Sequence, residues 1–286
     1  MSASMKSIKQ RLHSVESTMQ ITKAMELVAA SKLRKAQERT ERSRPYFETL
    51  YQTLAEIVSL NTSILSPYTI KREVKTTCWI VIAGDRGLAG GYNSNVLKLL
   101  SREIARRKSQ PLVVPLGKKA LEYCHQQHLP IWSEAYSQAA DITVSECFTL
   151  TKLLCKAYIA GEFEEIRIVF TNFVSIMYQT PSTLRLLPYY VDKEQHHKDN
   201  ALHQITIYEP NGPTVYDMIF PECMGGLLYG ALCESIASEH ASRRSAMDSA
   251  TKNGKEMAED LTLLYNRVRQ GAITQEITEI VAGAQT

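Results

Sequence analysis

From Glu222 to Thr286 the chain runs 65 residues without a proline. An unbroken α-helix of that length would reach about 98 Å at about 1.5 Å per residue. No ordinary globular core needs a helix that long, so it must pair with another helix or reach into a partner. Within it Ala250, Gly254, Met257, Leu261, Leu264, Val268 and Gly271 recur at alternating steps of four and three, the 3.5-residue repeat of a coiled-coil seam. The alanine and glycines make this a close-packed seam rather than a leucine zipper. A glycine inside a helix costs about 1 kcal/mol relative to alanine, which packing at Gly254 and Gly271 must offset. Beyond Gly271 the apolar phase changes to Ile273, Ile277 and Ile280, so the tip is expected to meet a different partner.

The natural mate for this helix lies at the other end of the chain. Residues 1–44 contain neither proline nor glycine. Ile8, Leu12, Val15 and Met19 form one helical stripe, and Ile21, Met25 and Val28 a second in shifted phase. Ala24 to Ala36 is rich in small residues that permit close approach. Pro45 interrupts or kinks the helix, and Phe47, Leu50, Leu54 and Ile57 resume it to about residue 60. Residues 1–44 carry ten Lys/Arg against four Glu, whereas residues 222–286 carry six basic and nine acidic residues. Opposite charge favours pairing of the two ends, or steers the basic one to an acidic partner. The first helix enters the middle of the chain and the last leaves it, so a side-by-side pair is antiparallel, an asymmetric rod on a globular base.

The middle alternates strand and helix. CWIVIAG (78–84), PLVVPLG (111–117), EIRIVFTNF (165–173) and STLRLLPYY (182–190) read as strands. Helices are expected over 93–108, 118–128 and 142–160, the last with Ile142, Cys147, Leu150, Leu154 and Tyr158 on one face. This order predicts an α/β domain with a largely parallel sheet. DKEQHHKDN (192–200) reads as a loop, ITIYEP (205–210) as a short strand, and Asn211-Gly212-Pro213 as a turn. The organisation is thus an N-terminal helix (1–60), a Rossmann-like domain (76–195), a connecting foot (196–221) and a C-terminal helix (222–286).

Chemistry is sparse. The glycine-rich stretch AGDRGLAGGYNSN (83–95) follows a strand and opens a helix, where a phosphate could sit. Its spacing is neither G-x-G-x-x-G nor a P-loop, and the stronger reading is a tight turn with Asn93 or Ser94 as helix cap. His196, His197 and His203 fit a solvated loop better than a metal site, and His125 and His128 fit the carboxyl end of a helix. The six cysteines (Cys78, Cys124, Cys147, Cys155, Cys223, Cys233) show no C-x-x-C spacing and fit a reducing compartment. No apolar run approaches the roughly 20 residues of a membrane span, and no signal peptide is evident. The basic N-terminal residues surround an apolar stripe and alternate with Glu, which argues against nucleic acid. No catalytic triad, metal motif or cofactor site stands out.

Three segments carry a family resemblance: STMQITKAMELVAASKLRKAQ (17–37), DRGLAGGYN (85–93) and LLYNRVRQGAITQEITEIVAGA (263–284). They resemble the gamma subunit of F-type ATP synthases, and the likeness spans essentially the whole chain. Gly84 departs from it, standing where many members have Ser or Thr. The paired-cysteine segment of the chloroplast form is missing, which points to a bacterial type. The resemblance implies a non-catalytic rotor shaft on the cytoplasmic face of the cell membrane, coupling ion-driven rotation of a ring of c subunits to ATP synthesis. Its implied partners are the alpha and beta subunits, the epsilon subunit and the c ring. It places Arg269, Gln270 and Thr274 at a beta-subunit catch and Ile277, Ile280 and Val281 in a bearing. Lys23 and Met25 fall near a beta-subunit lever, and Tyr208 and Glu209 in the foot near the c ring. The rival reading is a nucleotide-dependent enzyme built on the Rossmann-like domain.

Overall fold

The computed structural model describes residues 5–60, 66–189 and 209–283. The chain divides into two compact units, Met1–Ser31 with Arg243–Thr286, and Lys32–Ser242. Helices α1 (Met5–Leu60) and α5 (Gly212–Gly283) contribute to both.

The larger unit is built on four strands in the order β2-β1-β3-β4. Here β1 is Thr76–Ile82, β2 Gln110–Leu116, β3 Glu165–Phe173 and β4 Gln179–Leu187. β1 pairs in parallel with β2 and β3, and β4 closes the edge antiparallel to β3. The largely parallel sheet expected from the sequence is therefore present, with one antiparallel edge. β1 reads as a continuous apolar run because both its faces are covered. Cys78, Ile80 and Ile82 enter one core with Leu150, Leu154 and Tyr158 of α4 (Val144–Ala160) and with Phe220 and Leu228 of α5. Trp79 and Val81 enter the other, with Val96 and Leu100 of α2 (Tyr92–Arg106) and Ala120 and Cys124 of α3 (Lys118–Gln126). α4 starts in a capping box, Thr143 Oγ1 accepting from Glu146 N while Glu146 accepts from Thr143 N at 2.7 Å. It stops at Gly161, whose φ of 83° is the left-handed conformation that glycine adopts freely.

Three features of the last helix differ from the sequence reading. It begins at Gly212, ten residues before Glu222, and carries Pro221 within it. Asn211-Gly212-Pro213 is a helix start rather than a free turn: Asn211 Oδ1 accepts from Thr214 N at 2.9 Å, an Asn N-cap. Residues 212–242 also form core, with Tyr216, Phe220, Leu228 and Leu232 fully buried. Two adjacent glycines allow this. A Cβ on Gly225 would collide with the Phe148 ring of α4, and one on Gly226 with the Phe47 ring of α1. α1 likewise continues through Pro45 without a break in its assignment. Residues 205–208 and the three histidines at 196, 197 and 203 lie outside the described residues.

The smaller unit is a helix pair. A Cβ on Gly254 would stand 2.6 Å from Met19 Cγ, and Thr22 Oγ1 bonds Thr251 Oγ1 at 2.8 Å. Three residues forward on α1 is thus three back on α5, the antiparallel register. The seam differs from the expected one. Ile8 is buried, Leu12, Val15 and Met19 are half-buried, and the stripe continues through buried Thr22 and Ala29. Ile21 and Val28, read as a second stripe, are 60% and 56% exposed. On α5, Gly254, Leu261 and Val268 face inward as expected, but the alternate position falls at Thr251, Ala258 and Tyr265. Met257 and Leu264 turn outward, and Gly271 has open space around it. Steps of four and three fit both choices; the inward set contains hydroxyls, which a search for apolar residues passes over.

The Thr22–Thr251 bond joins two half-buried hydroxyls across this seam. Thr22→Val and Thr251→Val should therefore be coupled. A double-mutant cycle by urea unfolding should return about 0.5–1.5 kcal/mol of interaction energy; additive effects would show that the bond adds nothing.

Candidate functional site

The glycine-rich loop between β1 and α2 is occupied by its own side chains. Asp85 Oδ1 accepts from Lys118 N at 3.2 Å and Ala139 N at 3.0 Å, and Oδ2 from Ala140 N at 3.1 Å. Asn93 does not cap α2. Its Oδ1 accepts from Gly84 N at 2.8 Å and its Nδ2 donates to Arg86 O at 3.2 Å, while the N-cap position falls on Gly91 with no side-chain bond. Ser242 Oγ of α5 donates to Ala89 O at 2.7 Å. The carboxylate of Asp85 sits where an incoming phosphate would need positive charge. A Cβ on Gly84 would stand 2.8 Å from Glu239 Cδ, so Gly84 makes room for a buried carboxylate and does more than shape the turn. The motif organises the junction of β1, α3 and α5.

Nucleophiles are suppressed. All six cysteines are buried and free. Burial pushes the thiols of Cys147, Cys155 and Cys223 up to about 12 and that of Cys124 up to about 11. Cys78, fully buried, is raised further. Among the described residues no three His, Cys, Asp or Glu side chains are grouped to hold a metal. His125 pairs with Glu134 at 3.4 Å, and His128 N donates to His125 O at the end of α3.

The residues expected to meet partners lie on open surface. Arg269, Gln270 and Thr274 are exposed on α5, with Thr274 Oγ1 bonded back to Gln270 O at 2.9 Å. Ile277, Ile280 and Val281 are 56%, 71% and 52% exposed. Lys23 is exposed and pairs with Glu26 at 2.9 Å, and Met25 is half-buried. Glu209 is exposed, and Tyr208 lies outside the described residues. The sequence reading missed Leu27, Leu263 and the outward Met257 and Leu264, which continue this apolar surface on the helix pair. For Met257 and Leu264 the signal was available, since each sits one residue beside a seam position, Ala258 and Tyr265. In the larger unit Lys32, Lys35 and Arg39 of α1 line a pocket of about 260 Å³ with Asp141 and His240. That is a second basic feature, formed at spacings of three and four on one helix face.

Residues 4–286 match the family model described as ATP synthase. The ATP synthase gamma chain of Ruminococcus albus is 45% identical over 97% of this chain and 96% of its own length. The chain belongs to the ATP synthase gamma-chain family. The sodium ion specific ATP synthase gamma chain of Acetobacterium woodii is 38% identical over 100% of this chain and 99% of its own. Among solved structures, the rotor of the Euglena gracilis mitochondrial ATP synthase superposes with a TM-score of 0.63 at 17% identity, over 94% of this chain and 98% of that one. A central stalk from Tetrahymena thermophila gives a TM-score of 0.58 at 21% identity, over 80% of this chain and 99% of that one. At such identities these show the shared fold: two long end helices flanking a mixed sheet.

Two outcomes follow. Asp85→Ala removes the acceptor of three backbone N–H groups and should destabilise the chain by about 1–3 kcal/mol in urea unfolding, with no effect on nucleotide retention. The raised cysteine values favour the neutral thiol, so Ellman's reagent at pH 8 should react slowly with native protein and rapidly with six thiols in guanidinium. Fast reaction of native protein would contradict the burial.

Proposed function

We propose that this chain is the central-stalk shaft of an F-type ATP synthase, turning with a membrane-embedded c ring inside a ring of alpha and beta subunits. The observation that carries this reading is the division of labour in the helix pair. The seam holds Ile8, Leu261 and Val268 beside the small or hydroxyl-bearing Ala29, Gly254, Thr22 and Thr251, while Ile21, Leu27, Val28, Leu263, Ile273, Ile277, Ile280 and Val281 remain exposed. Contiguous exposed apolar surface marks a binding face. A helix pair clothed in it suits a cylinder of surrounding subunits.

The proposed contacts follow from chemistry. Arg269, Gln270 and Thr274 engage a beta-subunit catch, where a guanidinium makes charge-assisted bonds with one beta conformer and loses them on rotation. Ile277, Ile280 and Val281 form the apolar tip in its bearing. Lys23 and Met25 meet an acidic beta lever. Lys23 is 55% exposed while its partner Glu26 is largely covered at 13%, so a lever carboxylate would meet Lys23 from its open side with the Glu26 pair kept. The basic pocket of Lys32, Lys35 and Arg39 extends acidic recognition down α1. Tyr208 and Glu209 belong to the foot, with the epsilon subunit and c ring. Because a partner shifts an equilibrium only through differential affinity, an asymmetric shaft that touches each beta subunit differently drives each to a different nucleotide state. The shaft supplies no catalytic group; the chemistry stays on the surrounding subunits. No described helix is long and apolar enough to cross a membrane, and the chain reaches the cytoplasmic face of the membrane through its complex. The nucleotide-enzyme alternative is disfavoured by Asp85 and Asn93, which fill the loop it would need.

Arg269→Ala with Gln270→Ala should lower coupled ATP synthesis in reconstituted vesicles by about tenfold, the loss of roughly 1.4 kcal/mol of charge-assisted bonding, with far-UV circular dichroism unchanged. Undiminished synthesis would remove the catch assignment. Substantial ATPase activity of the isolated chain, lost on mutating Asp85 or Arg86, would overturn the shaft reading.

A further inference from the structure

An open cavity of about 400 Å³ in the larger unit lies where α1, α5 and the β3–β4 sheet meet. Glycines on α5 open it. Gly226 lets the Phe47 ring lie against the helix backbone as one wall, and Gly230 leaves space, with nothing within 4 Å of where its Cβ would stand. Phe170 and Leu184 of the sheet form the far wall, Leu184 being 37% exposed. Among the described residues that line the cavity, the charged ones are Glu48 from α1 and Glu234 from α5, and none is lysine, arginine or histidine. Open apolar hollows of this size on a folded chain are ordinarily covered in the working protein. A carboxylate such as Glu48 beside a low-dielectric wall concentrates negative potential over it.

We propose that this cavity receives a polypeptide segment of a partner subunit that presents an apolar side chain flanked by lysine or arginine. The apolar side chain enters over Gly230 and stacks against Phe47 and Phe170. The basic group meets Glu48 at the rim, where a carboxylate and a cation form a charge-assisted bond. An acidic segment is excluded, since it would bring like charge to the rim. The surface is thus opposite in preference to the pocket lined by Lys32, Lys35 and Arg39, so one unit carries two docking sites that select opposite charges. The inference uses the proposed function only in expecting partner subunits.

The test uses the complex purified with the full chain and a photo-crosslinking phenylalanine analogue at Gln52, which lines the cavity and is exposed. Mapping the captured peptide by mass spectrometry should return one partner segment with an apolar residue next to a Lys or Arg. Capture of an acidic or uncharged segment, a second copy of this chain, lipid, or nothing would overturn the proposal. Two variants sharpen it. Glu48→Lys should lower crosslink yield several-fold, and an unchanged yield would remove the charge argument. Gly230→Leu fills the cavity and replaces a helix-weakening residue, so it should raise or preserve the melting temperature while abolishing the crosslink; persistence of the crosslink in a folded variant would show that the cavity is not the site. A complex whose subunits are not those of an ATP synthase would fail the proposed function, yet the captured segment would still decide this inference.

Discussion

Close approach of α1 and α5 at positions with little or no side chain is the constraint on which the rest depends. In the larger unit it is Gly225 and Gly226, each facing an aromatic ring that would collide with a Cβ. In the smaller unit it is Gly254 under Met19 and two threonines bonded to each other. Glycine weakens an isolated helix by about 1 kcal/mol, so these helices gain their stability from tertiary packing rather than from propensity. The same geometry leaves part of the larger apolar set of the pair outside the seam. Leu263, Ile277 and Ile280 are more than half exposed because the seam does not need them.

A helix pair built this way is stiff yet presents an apolar outside, a combination suited to turning against other proteins. The larger unit is different in kind. Its sheet is covered on both faces, its thiols are buried, and its glycine-rich loop is tied down by Asp85 and Asn93. The residues proposed to meet partners are accordingly defined by sign and exposure: the cations of α1, the isoleucines of the tip and the carboxylates Glu48 and Glu234.

Much of this was legible in the chain alone, for reasons that differ by element. β1 and β3 are β-branched runs bounded by breakers, and period and composition agree there. The face of α4 from Cys147 to Tyr158 was readable because its partner is a sheet and the stripe is apolar throughout. The seam of the end helices was half readable. Gly254, Leu261 and Val268 were found, but Thr22 and Thr251 satisfy each other by a hydrogen bond and leave no hydrophobic signal. The start of α5 was missed because Asn-Gly-Pro serves equally as a turn and as a helix entry; the Asn211 side chain, bonded to Thr214 N, decides it. The space at Gly84 is taken up by Glu239 of α5. That contact joins residues far apart in sequence, which no local pattern encodes. The partner assignments rest on family membership and on exposure, since an outward apolar residue announces a partner without naming it.

The central claim is that this chain turns as a shaft inside a ring of nucleotide-binding subunits. The most direct measurement fixes the surrounding subunits to a surface, attaches a visible rod to an exposed position of the larger unit, and follows it during ATP hydrolysis. The account predicts unidirectional, stepwise rotation of the rod that stops when ATP is withdrawn. A rod that stays still while hydrolysis proceeds at full rate would contradict it.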